Sequence, residues 1–142
     1  MPLKPLTIED ILDDNLDAKG NKLPVPDAHK ANIEKLLKKV NKLQERYGKL
    51  QFKVTSGLRS LIYHMGIYRR KGITDPKKIP MKSKHLFGQA VDVEDKDGKF
   101  YAWVQKNEAI LQELSLHYEL GTRGWVHLQI VPPASGKTGF WP

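Results

Sequence analysis

The chain reads as an α+β domain: a small, mainly antiparallel sheet with helices packed on one face. Three observations carry this. Residues 27–46 repeat apolar side chains at helical spacing. Four short segments, 51–55, 89–94, 116–120 and 125–131, have the alternation or apolar density of strands. Gly121-Thr122-Arg123-Gly124 between the last two is a hairpin signal. At 142 residues, 39% hydrophobic and 28% charged, the chain suits one folded domain spanning 1–142 and is too short for two ordinary ones.

Thr7 can cap a short helix through about residue 13, with Glu9 and Asp10 in its first turn. Residues 14–26, rich in Asp, Gly and Pro, form a connector. The helix over 27–46 buries Ile33, Leu36, Leu37, Val40, Leu43 and Tyr47, and Gly48 suits its C-terminal stop. In the strand 51–55, Phe52 and Val54 point inward. Ser60 caps a helix to about residue 70. Gly72, Pro76 and Pro80 make 72–84 a loop at the entrance to a site. A strand at 89–94 leads to a turn at 95–98. Residues 99–115 are helical, with a break near Asn107. Strands 116–120 and 125–131 follow, and 132–142 is an irregular tail that Phe140 and Trp141 pin to the body.

The chemistry concentrates in Ser83-Lys84-His85-Leu86-Phe87-Gly88-Gln89-Ala90-Val91-Asp92 and in Trp125-Val126-His127. Gly88 lets the chain turn sharply after His85, and the following strand carries Asp92 back beside it. Alternation puts Ala90 and Asp92 on one face and Gln89, Val91 and Val93 on the other. Two imidazoles and a carboxylate suit one zinc ion, Zn2+, whose catalytic sites keep a fourth position open. In the last two strands His117 and Glu119 share a face, as do Trp125, His127 and Gln129. Matched register sets Glu119 beside His127, where a carboxylate can take a proton from water without ligating the metal.

Ser83-x-His85-x-x-Gly88-x-Ala90-x-Asp92 with Trp125-Val126-His127 resembles the M15 zinc peptidases, the D-Ala-D-Ala carboxypeptidase and L-Ala-D-Glu endopeptidase group with the hedgehog-type fold. Val54-Thr55-Ser56-Gly57-Leu58-Arg59-Ser60 resembles the group's Ser-Gly-Tyr-Arg-Ser segment, with Leu58 in place of the aromatic. The resemblance covers about residues 50–131. It implies that His85, Asp92 and His127 hold the metal and that Glu119 is the general base. It implies that Arg59 supports the oxyanion or anchors a substrate carboxylate. The implied reaction is hydrolysis of an amide in the peptidoglycan stem peptide. Gln129 stands where many relatives carry Asp, and no catalytic role is drawn from it. Ser83 either binds substrate or holds the turn before His85. His117 is either a second proton donor or a partly buried ring bonded to backbone. His64 reads as structural, and His29 has no metal role.

The formal net charge is +8, which favours anionic partners such as a bacterial wall. The cations gather in two groups. Lys30, Lys35, Lys38, Lys39, Lys42 and Arg46 suit the wet face of a helix, while Arg69, Arg70, Lys71, Lys77, Lys78, Lys82 and Lys84 run into His85. No zinc-finger, RNP-type or basic-zipper pattern supports nucleic-acid recognition. The chain has no Cys, so disulfides and thiolate metal sites are excluded. No run of about 20 apolar residues spans a membrane, and the first residues lack the apolar core of a signal peptide. A short cationic chain of this kind resembles a phage endolysin or virion-associated lysin. It would be a monomer, made in the cytoplasm and acting on the wall after release. Two rivals remain: a non-catalytic zinc-binding interaction domain on the same fold, and a basic nucleic-acid-binding module.

Overall fold

A computed structural model describes residues 2–79 and 83–142. The expected loop at 72–84 therefore falls partly outside the described residues, at 80–82. Helix α1 (Ile8–Ile11) is shorter than expected, and Asp10 Oδ2 accepts both the Thr7 N–H at 2.8 Å and its hydroxyl at 3.2 Å. Helix α2 (Asp27–Tyr47) buries Ile33, Leu36, Leu37, Val40 and Leu43 as the spacing predicts, with Tyr47 packed against that core. It stops at Gly48, in the left-handed conformation at φ 72°.

The first strand differs from expectation. Strand β1 is Val54–Ser56 rather than 51–55. The physical reason lies in α2: the buried Gln44 side chain accepts the Phe52 N–H at 2.6 Å. Phe52 still enters the core, but it does so outside the ladder. Helix α3 (Leu61–Arg70) has Ser60 as its cap, the hydroxyl accepting the Tyr63 N–H at 3.1 Å. Strand β2 (Ala90–Asp95) leads to α4 (Lys99–Lys106) and α5 (Glu108–Leu114). The predicted break falls at Asn107, whose side chain donates to the Trp103 carbonyl at 2.8 Å.

Strands β3 (His117–Glu119) and β4 (Gly124–Gln129) follow, and the tail, expected to be irregular, adds β5 (Gly139–Phe140). The five-stranded sheet has the order β1-β2-β4-β3-β5, antiparallel except for the parallel β3–β5 pair. The tail is held because Tyr118 and Leu120 donate their N–H groups to Thr138 and Phe140, at 2.9 and 2.7 Å. Gly139 permits this approach, since a Cβ there would come within 2.8 Å of the Tyr118 ring.

Val91, Val93, Tyr118, Val126 and Leu128 turn to one side of the sheet and share a single cluster with α2, α4 and α5. Asp92, His127 and Glu119 alternate with these residues and so belong to the opposite face. Helix α3 is the exception to helices on one face. It buries only His64, and Ile67 and Tyr68 form a wall of the cleft on the polar side.

Candidate metal centre

The β2–β4 ladder sets Asp92 directly opposite His127. His85 comes to them from a 3-10 turn, Lys84–Phe87, that ends at Gly88 with φ 70°. A side chain at Gly88 would lie 2.9 Å from the His29 carbonyl oxygen and from Ile33 Cγ1, so the turn can lie this close to α2 only with glycine. His85 Nε2 stands 3.2 Å from Asp92 Oδ1, and His127 Nδ1 stands 2.9 Å from the same oxygen. One donor atom from each of the three residues lies within 4.8 Å of the others.

The second nitrogen of each ring is also held. His85 Nδ1–H donates to the Gly57 carbonyl at 2.9 Å, which leaves Nε2 facing Asp92. His127 Nε2 lies 2.8 Å from Gln129 Oε1. The Gln129 amide nitrogen donates to the Val131 carbonyl at 2.7 Å, which fixes Oε1 as the acceptor and leaves Nδ1 of His127 for Asp92. Metal-ligating imidazoles are oriented in this way by carbonyl oxygens behind them. Ligand atoms about 2.0–2.2 Å from a tetrahedral zinc lie roughly 3.3–3.6 Å apart, and the two ring-to-carboxylate spacings, 3.2 and 2.9 Å, fall a little inside that range. The donor set and its backing therefore fit a divalent ion.

The electrostatics point the same way. Burial pushes the Asp92 carboxyl up, but the charge of His85 and the hydrogen bonds from both rings outweigh it and hold the group well below the usual carboxylate range. Burial pushes His127 down, yet the bond and charge of Asp92, the Gln129 oxygen and the charge of Glu119 together raise it above 6.5. Without a cation the half-buried Asp92 carboxylate favours a proton on His127, and a metal ion at Nδ1 would replace that proton.

The three residues lie in a cleft of about 220 Å³ that Arg59, Ser83 and Glu119 also line. Tyr118 pairs with Leu128 across β3 and β4, so Glu119 falls one step on, beside His127. The cleft thus brings together six of the seven site residues expected from sequence. His117 does not line it. Its Nδ1 donates to the Lys137 carbonyl at 2.9 Å, matching the backbone-bonded reading. His64 is fully buried and accepts from Arg59 Nη1 at 3.1 Å, so its structural reading holds. His29 lies against Phe87, with ring centroids 6.0 Å apart.

Sequence reasoning missed Gln129 as the partner of His127, although alternation had already placed both on one face. It also missed Gly57, whose part is played by a backbone carbonyl that no residue type announces. Ile67, Tyr68, Lys71 and Trp125 also line the cleft.

No protein-family model matches the chain, and no curated protein matches it. Among solved structures it is similar to the Serratia marcescens L-Ala D-Glu endopeptidase ChiX. The TM-score is 0.51 at 20% identity, over 81% of this chain and 95% of that one. The chain has the fold of that endopeptidase. Among the described residues no helix is long and apolar enough to cross a membrane.

Proposed function

We propose that the chain is a zinc-dependent peptidoglycan peptidase that hydrolyses an amide of the stem peptide, with the L-Ala–D-Glu bond favoured over D-Ala–D-Ala. The observation that carries this reading is the preset group of His85, Asp92 and His127 at a cleft that also holds Glu119. The fold likeness favours the first bond, and the resemblance to M15 peptidases supports the metal.

Zinc bound by these three residues would supply Lewis acidity and lower the pKa of a water molecule to about 7. Glu119 takes a proton from the attacking water and delivers it to the leaving amine nitrogen. Arg59, reaching the cleft from the loop after β1, supports the oxygen that becomes anionic. Ser83, at the start of the His85 turn, contacts the peptide. His117 holds the tail to β3. The cationic surface assists retention on an anionic wall, the setting in which a phage lysin works.

The test uses purified peptidoglycan and mass spectrometry of the released products. New L-Ala C-termini and D-Glu N-termini should appear with the metal-loaded protein, vanish with a chelator and return with zinc. They should stay absent with Asp92→Ala. Metal-loaded protein that releases neither these ends nor free D-Ala would overturn the proposal.

A further inference from the structure

Among the described residues the cleft contains two cationic side chains, Arg59 and Lys71, with different surroundings. Arg59 Nη1 donates to His64 Nδ1 at 3.1 Å, and Nη2 donates to Ser56 Oγ at 3.0 Å. Ser56 in turn donates to Asp14 Oδ2 at 3.1 Å. Arg59 is thus built into the wall. Lys71 is exposed, and its ammonium lies 5.2 Å from the centre of the Tyr68 ring, on the α3 side of the cleft. Among the described residues it forms no ion pair with a carboxylate. Its backbone is fixed as the cap of α3, the N–H bonding the Ile67 and Tyr68 carbonyls at 3.3 and 3.1 Å. Gly72, at φ 85°, then turns the chain away. The stem of Lys71 therefore starts from a defined point, and the C-terminal end of a helix favours its charge.

The substrate chemistry calls for such a group. In an L-Ala–γ-D-Glu bond, the carbon next to the leaving nitrogen carries a free α-carboxylate. That anion enters a cleft already holding the carboxylates of Asp92 and Glu119. Lys71, on the wall of the same cleft, offsets that repulsion. We infer that Lys71 anchors this α-carboxylate and makes the protein select stem peptides with a free acid over those in which it is amidated. The inference rests on the proposed function and divides the labour of the two cations: Arg59 for the oxyanion, Lys71 for the acid.

The experiment uses two stem peptides that differ only at this position, carboxylate against carboxamide. The wild type should prefer the acid roughly tenfold in kcat/KM, and the preference should shrink as salt is added. Lys71→Gln should cost the acid peptide about tenfold more than the amide, mainly in KM. Lys71→Arg should keep most of the preference, and Lys71→Glu should reverse it. An equal loss on both peptides would make Lys71 merely structural and overturn the inference, as would wild-type turnover with no preference. Failure of the wild type to cleave either peptide would overturn the proposed function and this inference with it.

Discussion

Gln129 Oε1 lies 2.8 Å from His127 Nε2, and this contact decides which nitrogen of the ring meets Asp92. Gln129 is buried and its own amide nitrogen is tied to Val131, so it cannot turn to offer a donor instead. Outer partners of this kind typically contribute 10–100-fold to metal affinity. Gln129→Met should weaken zinc binding by about that factor, as read by competition with a chelator. Gln129→Glu keeps an acceptor at the same reach and should bind at least as tightly as the wild type. Equal affinity in all three proteins would remove Gln129 from the site.

The proton on His127 gives the metal-free and metal-loaded proteins opposite pH trends. His127 is raised above 6.5 in the fold, so its stabilising contribution is complete below that value and is lost as pH rises through the raised one. Asp92 is lowered from 3.8, so its contribution is complete above that value and is lost as pH falls through the depressed one. The metal-free protein should therefore be most stable at mildly acidic pH and lose Tm as pH rises above 6.5. Metal must displace the His127 proton, so zinc affinity should climb over the same interval. Thermal melts with and without zinc across that range read both trends, and parallel curves would contradict the proton exchange.

Gly57 is a point where backbone meets backbone. A Cβ there would run into the Ile11 carbonyl oxygen and lie 2.8 Å from Ile11 Cα. Neither is a flexible side-chain end, so α1 and β1 would have to separate. Overpacking of this sort costs about 1–3 kcal/mol. The Gly57 carbonyl also orients His85, so Gly57→Ala should lower stability and zinc affinity together. Gly66, inside α3, has open space where its Cβ would be. Gly66→Ala should instead stabilise by roughly 0.5–1 kcal/mol, the helix-propensity gain. Urea unfolding of the two variants should give shifts of opposite sign.

The parts of this molecule that were legible in sequence are those that repeat locally. The apolar spacing of α2 and the alternation of β2 and β4 put Asp92 and His127 on one face, and the ladder pairs them directly. The illegible parts depend on distant partners. Residues 51–53 alternate like a strand, but the Gln44 side chain takes the Phe52 N–H. The tail has no strand pattern, and β5 forms because the β3 edge has free N–H groups to offer. Helix α3 exposes Leu61 and Ile62 and buries His64, so its apolar residues did not reveal which side faces inward. The connector after α1 looked passive, yet Asp14 braces Ser56 and through it Arg59.

Glu119 and His117 lie two residues apart on β3, and the fold treats them differently. Glu119 lines the cleft and lends its charge to His127, while His117 bonds the Lys137 carbonyl. Glu119→Gln preserves size and hydrogen-bonding reach but removes basicity. If Glu119 moves the proton, this variant should fold, keep its zinc and lose about 10²–10⁴-fold in kcat, the usual contribution of a general acid–base group. His117→Gln should keep most of its turnover and instead loosen the tail. Faster amide exchange at Tyr118 and Leu120, whose N–H groups bond Thr138 and Phe140, would read that loosening. Zinc content measured in both variants separates lost chemistry from a lost site. Near-normal turnover in Glu119→Gln beside a large loss in His117→Gln would assign the proton transfer to the other residue of the strand.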